Sequence, residues 1–156
     1  MKKFILIAAL VLGVAFAAAA QPKAIGLRWG MNTEISYQHN LGGANFVEAN
    51  LGTFLAGKPS FDISSTYNFM IAQPAWTSRG DWGIYAGPGL ALGFNSWETH
   101  FAIQGQVGLE YTFWFPLQLA VDLKPQFGFE VRNRYTDFFF DGLYGFAPSF
   151  SVRYRF

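Results

Sequence analysis

Nine charged residues are the side chains of this chain most able to do chemistry together. Each lies in a stretch where apolar and polar residues alternate, and each falls on the polar side of that alternation. They are Arg28, Glu34, Glu48, Asp62, Glu110, Asp122, Lys124, Arg153 and Arg155. Four are basic and five are acidic, so the set can form ion pairs, or it can line a path for ions or small solutes.

The two histidines are the candidates for general-base or metal chemistry. A lipid-modifying membrane enzyme, such as a lipid A deacylase or acyltransferase, needs a base paired with a serine or an acid. His100 follows Glu98, but the residue two positions after it is Ala102, and His39 has only amides and Glu34 beside it. Two separated histidines without a cysteine also make a poor metal site. We therefore predict no catalytic residue, no metal and no cofactor.

A cluster of cationic and aromatic residues is the best candidate for contact with a partner. It comprises Arg132, Arg134, Phe138, Phe139 and Phe140. The cluster falls within residues 130–141, which we expect to be the longest loop. Guanidinium groups beside aromatic rings can bind lipopolysaccharide phosphates or an extracellular protein. Aromatic residues at a membrane interface also anchor a loop without any ligand, and we favour that interpretation.

Alternation with a period of two indicates the elements that hold these residues, because successive side chains of a β-strand point to opposite faces. Four long stretches show it: 82–94, 101–113, 117–129 and 144–156. Four shorter stretches follow the same rule: 25–29, 34–38, 47–51 and 62–69. Short turns are expected at 40–45 and 114–116, with an unusually long one at 72–81.

The fold class predicted from these eight strands is an all-β, antiparallel, up-and-down transmembrane β-barrel. An even number of strands allows such a barrel to close with both chain ends on one side. The nine charges all share the face opposite to the apolar residues, whereas a soluble barrel would place charges outside and aliphatic residues inside. Eight strands leave an interior just wide enough for side chains. We therefore predict a plug of paired charges in the lumen, with a narrow pore as the alternative.

The first twenty residues are typical of a cleaved signal peptide. Lys2 and Lys3 precede an apolar run, and small residues at 18–20 offer a cleavage site. We assign 1–20 to the signal peptide and 21–156 to the barrel domain, because the apolar run is short for a spanning helix. Cleavage leaves nine basic against ten acidic residues. This near-neutral balance does not favour nucleic-acid binding, and the absence of cysteine excludes disulfides and a lipoprotein anchor.

Aromatic residues near the strand ends predict two girdles at the membrane interfaces. The girdle residues are Trp82, Trp97, Trp114, Phe115 and Tyr154. The chain ends on alternating Val152, Tyr154 and Phe156, and this ending resembles the terminal strand of Gram-negative outer-membrane proteins. The resemblance implies recognition by the barrel-assembly machinery through these three residues.

The mature chain as a whole resembles small eight-stranded barrels of the OmpA/OmpX type. It is also similar to the short barrel-domain proteins of Bacteroidetes, on the segment GQVGLEY at 105–111 followed by FWFP at 113–116. The resemblance implies a location in the outer membrane, with outer-membrane lipids and lipopolysaccharide as neighbours. We expect a non-enzymatic barrel that acts structurally or through its surface loops. A lipid A-modifying enzyme, a narrow pore and a soluble lipocalin-like carrier are the alternatives.

Overall fold

Ten β-strands account for most of the part of the chain that the computed structural model describes, namely residues 23–30, 32–54, 60–95, 98–132, 135–140 and 147–156. The strands are β1 (Lys23–Trp29), β2 (Thr33–Asn40), β3 (Phe46–Phe54), β4 (Ser60–Ala72), β5 (Asp81–Asn95), β6 (Glu98–Thr112), β7 (Leu117–Leu123), β8 (Gln126–Arg132), β9 (Tyr135–Phe140) and β10 (Ser149–Arg155). The predicted signal peptide, residues 1–20, lies outside the described residues. Within them, no helix is long and apolar enough to cross a membrane.

The strands close into an antiparallel barrel with eight strand positions. Strands β1 to β6 pair in chain order, and β6 pairs with both β7 and β8. These two are halves of one barrel strand, which breaks at Lys124 and Pro125 because proline has no N–H to donate. Strands β9 and β10 pair with β8 and β7 and share the eighth position. Pairing of β10 with β1 closes the barrel, so the predicted all-β, eight-stranded antiparallel barrel is confirmed.

Three connections, two short and one of eight residues, lie at the end of the barrel that holds Lys23 and Phe156, which we call the terminal end. They span 41–45, 73–80 and 113–116, in agreement with the predicted turns. Gly42 and Gly43 have φ values of 91° and 70°, a left-handed conformation that glycine adopts without strain. The opposite end of the barrel, where β5 and β6 meet at Asn95, is called the distal end.

The segment 130–141, predicted to be a loop, is the place where the structure corrects the sequence interpretation. Strand β8 continues to Arg132, and β9 returns antiparallel to it from Tyr135 to Phe140. Residues 130–132 and 135–140 therefore lie on the two strands of a β8–β9 hairpin at the distal end, and 133–134 lie outside the described residues. The alternation of Phe129 and Val131 with polar neighbours continues past the predicted boundary, which explains the strand. At the other end of the hairpin, β10 begins only at Ser149 within the described residues.

Side-chain polarity is inverted relative to a water-soluble domain. Eighteen polar or charged residues but only five hydrophobic ones are buried among the described residues. Thirty large hydrophobic side chains in the same part of the chain are exposed. Along β6, for example, Phe101, Ile103 and Val107 face outward while Gln104 and Gln106 face the interior. Burial thus follows the strand alternation, with the polar face inside.

Close contact between β1 and β10 depends on Gly26, and this gives a first prediction. A Cβ at this position would contact the main chain of Val152 and lie 2.6 Å from the Cα of Arg153. Gly26→Ala is therefore expected to separate the closing strands and lower the free energy of unfolding by about 1–3 kcal/mol, measured by urea unfolding in detergent micelles. The control is Gly105→Ala, whose Cβ would meet only Pro125 Cγ at 3.8 Å. Equal stability of the two variants would contradict this role of Gly26.

Candidate functional site

The centre of the barrel interior contains Glu48, whose side chain is fully buried. Its carboxylate lies 2.8 Å from Nη2 of Arg153 and 3.3 Å from Nζ of Lys124. Asn50 and Gln106 donate side-chain hydrogen bonds to the same carboxylate, at 3.0 and 3.3 Å. Glu48 thus joins residues of β3, β6 and β10 to the break between β7 and β8.

A second buried group is organised by Arg28 of β1. Its guanidinium lies 2.8 Å from a carboxylate oxygen of Glu34 and 2.7 Å from one of Asp122. Lys124 connects the two groups, because its Nζ lies 3.9 Å from Glu34 as well as against Glu48. Three cations and three carboxylates therefore form one network. Such balance matters, since an uncompensated buried charge is strongly destabilising.

The remaining three predicted lumen charges lie apart from this network. Glu110 is buried and accepts hydrogen bonds from Gln38 at 3.4 Å and Gln118 at 3.0 Å. Asp62, toward the distal end, accepts one from Asn32 at 3.0 Å. Arg155 lines a cavity of about 120 Å³ at the terminal end, together with Glu110. The structure therefore brings six of the nine residues together and distributes the other three toward the two ends.

Aromatic and amide side chains fill space that the charges leave. Phe46 and Tyr85 are almost completely buried in the interior, with ring centroids 5.0 Å apart. Gln104 donates to Thr66 Oγ1 at 2.6 Å, which adds a further contact across the interior. The sequence interpretation missed Phe46 and Tyr85. Both residues fall on the polar side of the alternation, and this position could have indicated that their rings face the interior.

Rings cluster at the terminal end. Trp82 contacts Trp76 and Tyr111, with centroid distances of 5.3 and 4.7 Å, and the chain of rings continues through residues 113–115. Of the predicted girdle residues, Trp82 is half-buried here, Trp114 and Phe115 are exposed, and Tyr154 is exposed on β10. Trp97 lies outside the described residues. Trp76 was not predicted, because it falls in a connection.

The predicted C-terminal signal lies along the outward face of β10. Val152 pairs with Leu27 and Tyr154 pairs with Ile25 on β1. Tyr154 and Phe156 are exposed, and their rings stack with centroids 6.5 Å apart. These side chains therefore form an apolar ridge along the seam that closes the barrel.

His100 lies at the distal end between two carboxylates. Its Nδ1 is 3.3 Å from Glu130 and its Nε2 is 3.7 Å from Glu98. Glu130 was not predicted as a neighbour, because it had been assigned to a loop. The partners that His100 contacts among the described residues are the two carboxylates and the ring of Phe139. His39, near the terminal end, contacts Tyr37 Oη at 3.3 Å.

The predicted surface cluster is divided by the β8–β9 hairpin. Phe138 and Phe140 are exposed, whereas Phe139 packs its ring against His100 at a centroid distance of 6.0 Å. Arg132 ends β8, and Arg134 lies outside the described residues. The cluster therefore presents two rings outward and one toward the mouth of the barrel.

This chain matches no protein-family model, no curated protein and no solved structure. The structure is a closed, eight-stranded antiparallel β-barrel with a charge-filled interior and an apolar exterior.

Proposed function

We propose that this chain is an integral outer-membrane barrel of a Gram-negative bacterium, of the OmpA/OmpX type. It carries out no chemistry and acts structurally or through its distal hairpin. The observation that carries the proposal is the inverted polarity, with thirty large hydrophobic side chains exposed among the described residues. Soluble monomers rarely expose contiguous apolar patches larger than a few hundred Å². A bilayer removes this difficulty because lipid tails cover the exterior.

The backbone supports the same proposal. In the hydrocarbon core every N–H and C=O group must be paired within the protein, and a closed barrel achieves this because it has no strand edge. Here the β1–β10 pairing removes the edge. Exposed rings at the terminal end, among them Trp114 and Tyr154, fit the interface between lipid and water.

The interior favours a closed plug over a pore. Six charges form a balanced network across it, and Phe46 and Tyr85 occupy space beside them. The enzyme alternative has less support, because the partners that His100 contacts in the described part of the chain are carboxylates and a ring. We therefore propose that the barrel works through its surface rather than through transport or catalysis.

The proposal implies two kinds of partner: the components of the outer membrane and the machinery that inserts the barrel into it. Outer-membrane lipids and lipopolysaccharide would surround the apolar face, and export would use the predicted signal peptide. The barrel-assembly machinery would recognise the ridge of Val152, Tyr154 and Phe156. The β8–β9 hairpin, with Phe138 and Phe140 exposed, is the surface we propose for an extracellular partner. Nothing here favours nucleic acid.

Fractionation and electrical recording test the proposal together. The full chain, expressed in a Gram-negative host, is expected in the outer-membrane fraction, resistant to alkaline carbonate and released by detergent. Purified protein in planar bilayers is expected to give no stable conductance steps. Recovery from the periplasm without detergent would support a soluble carrier and overturn the membrane assignment. Regular conductance steps would overturn the plug.

A further inference from the structure

The distal end contains a group of ionisable side chains that the interior network does not use. His100 of β6 lies between Glu98 of the same strand and Glu130 of β8. Its two ring nitrogens face different carboxylates, at 3.7 and 3.3 Å. One nitrogen or oxygen atom from each of the three residues lies within 4.8 Å of the other two. All three residues are half-buried, so an ion from solution can reach them.

We propose that Glu98, His100 and Glu130 form a binding site for a divalent transition-metal ion such as Zn²⁺. Imidazole nitrogen and carboxylate oxygen are ordinary Zn²⁺ ligands, and three protein ligands leave a fourth position for water. In a tetrahedral site, metal–ligand bonds of about 2.0–2.2 Å place ligand atoms about 3.3–3.6 Å apart. The ligand atoms here lie within 4.8 Å of one another, so rotation about the glutamate side-chain torsions must bring the carboxylates closer by up to about 1.5 Å. The imidazole binds the ion through one ring nitrogen, and the carboxylate that faces the other nitrogen makes the larger movement. The imidazole selects transition metals over Ca²⁺ and Mg²⁺, which prefer oxygen.

The surroundings orient the imidazole and one of the carboxylates. Asn95 donates a hydrogen bond from Nδ2 to Glu98 at 2.8 Å, and its Oδ1 accepts one from the Glu98 N–H at 2.9 Å. Phe139 packs edge-on against the imidazole. Gly93 is the register partner of His100 on β5, and a Cβ there would lie 3.1 Å from the ring. Such outer contacts raise affinity because they hold ligands in the binding geometry before the ion arrives.

A third carboxylate lies close to the same group. A Cβ at Gly93 would lie 2.7 Å from Oδ1 of Asp62 and 3.1 Å from Cδ2 of His100. Asp62 of β4 and the imidazole of His100 therefore both border Gly93. The three proposed ligands themselves come from β6 and β8, so a bound ion would link these two strands at the distal mouth.

Metal titration of the purified full chain in detergent micelles tests the proposal, with ZnCl₂ and CaCl₂ as the probes. We expect one Zn²⁺ per chain, with Ca²⁺ binding at least tenfold more weakly. His100→Ala is expected to weaken Zn²⁺ binding at least about tenfold, and Glu98→Gln and Glu130→Gln are expected to weaken it in the same direction. His39→Ala is the matched control, because it removes the other histidine, at the opposite end of the barrel, and is expected to leave binding unchanged.

Three results would overturn the metal site. They are no Zn²⁺ binding by the parent chain, equal Zn²⁺ affinity in His100→Ala, and Ca²⁺ binding as tight as Zn²⁺. Circular dichroism of each variant shows whether it is folded, and His100→Asn replaces the alanine variant if the latter loses its β-structure. The inference does not rest on the membrane assignment, because titration reports the site alone whereas fractionation reports the location.

Discussion

Replacing Glu48 by glutamine is expected to lower the free energy of unfolding by about 3–5 kcal/mol. Glutamine has nearly the same shape, so the variant removes a charge without leaving a cavity. The loss is large because Arg153 and Lys124 are both buried and both contact the Glu48 carboxylate. Neither cation can recover its hydration in the barrel interior. Urea unfolding in detergent micelles, followed by tryptophan fluorescence, measures the change.

Asp81→Asn is the matched control for the loss of one negative charge. Asp81 begins β5 at the terminal end and is exposed, so its replacement is expected to change stability by no more than about 0.5 kcal/mol. Equal midpoints for the two variants would show that the charges of the interior do not hold the barrel together. A large decrease in the free energy of unfolding of Glu48→Gln, with no such decrease in Asp81→Asn, supports the balanced network.

Strand number and closure could be predicted from the sequence because the period-two pattern is a local property. Within each stretch the pattern predicts which side chains share a face. By this pattern all nine charged residues were assigned to the polar face. The predicted turns at 40–45 and 114–116 agree with the structure, since glycine or proline marks each one. Burial of Arg28, Glu48 and Arg153 follows from the same alternation.

The pairing of those charges could not be predicted, because it depends on how neighbouring strands are staggered around the barrel. Arg28 and Asp122 are 94 positions apart and meet only through the register of β1, β10 and β7. The contact between His100 and Glu130 depends likewise on the register of the β6–β8 pairing, in which the two residues are partners. Glu130 was not predicted to lie on a strand for a further reason, because the charges and rings that follow it were interpreted as a loop. Continuing the Phe127–Phe129 alternation by two residues would have placed it on the polar face.

Introducing arginine at Val107 is expected to lower the free energy of unfolding by about 2–4 kcal/mol in lipid vesicles, the cost of a cation facing lipid near the midplane. Val107 is 45 % exposed. It lies on β6 about midway between the rings of Phe101 and Tyr111 near the two ends of that strand, and therefore near the centre of the proposed hydrophobic band. Urea unfolding of vesicle-inserted protein measures the effect.

Leu41→Arg separates a lipid effect from an ordinary surface effect. Leu41 is 44 % exposed, almost the same as Val107, but it lies in the turn between β2 and β3 at the terminal end. Near the interface the expected cost falls to about 0–1 kcal/mol. Water around both sites would instead make both substitutions nearly neutral, within about 0.5 kcal/mol. Because the two side chains match in exposure and differ in depth, a cost confined to Val107→Arg can be assigned to the bilayer, and equal small costs would contradict the membrane-spanning barrel.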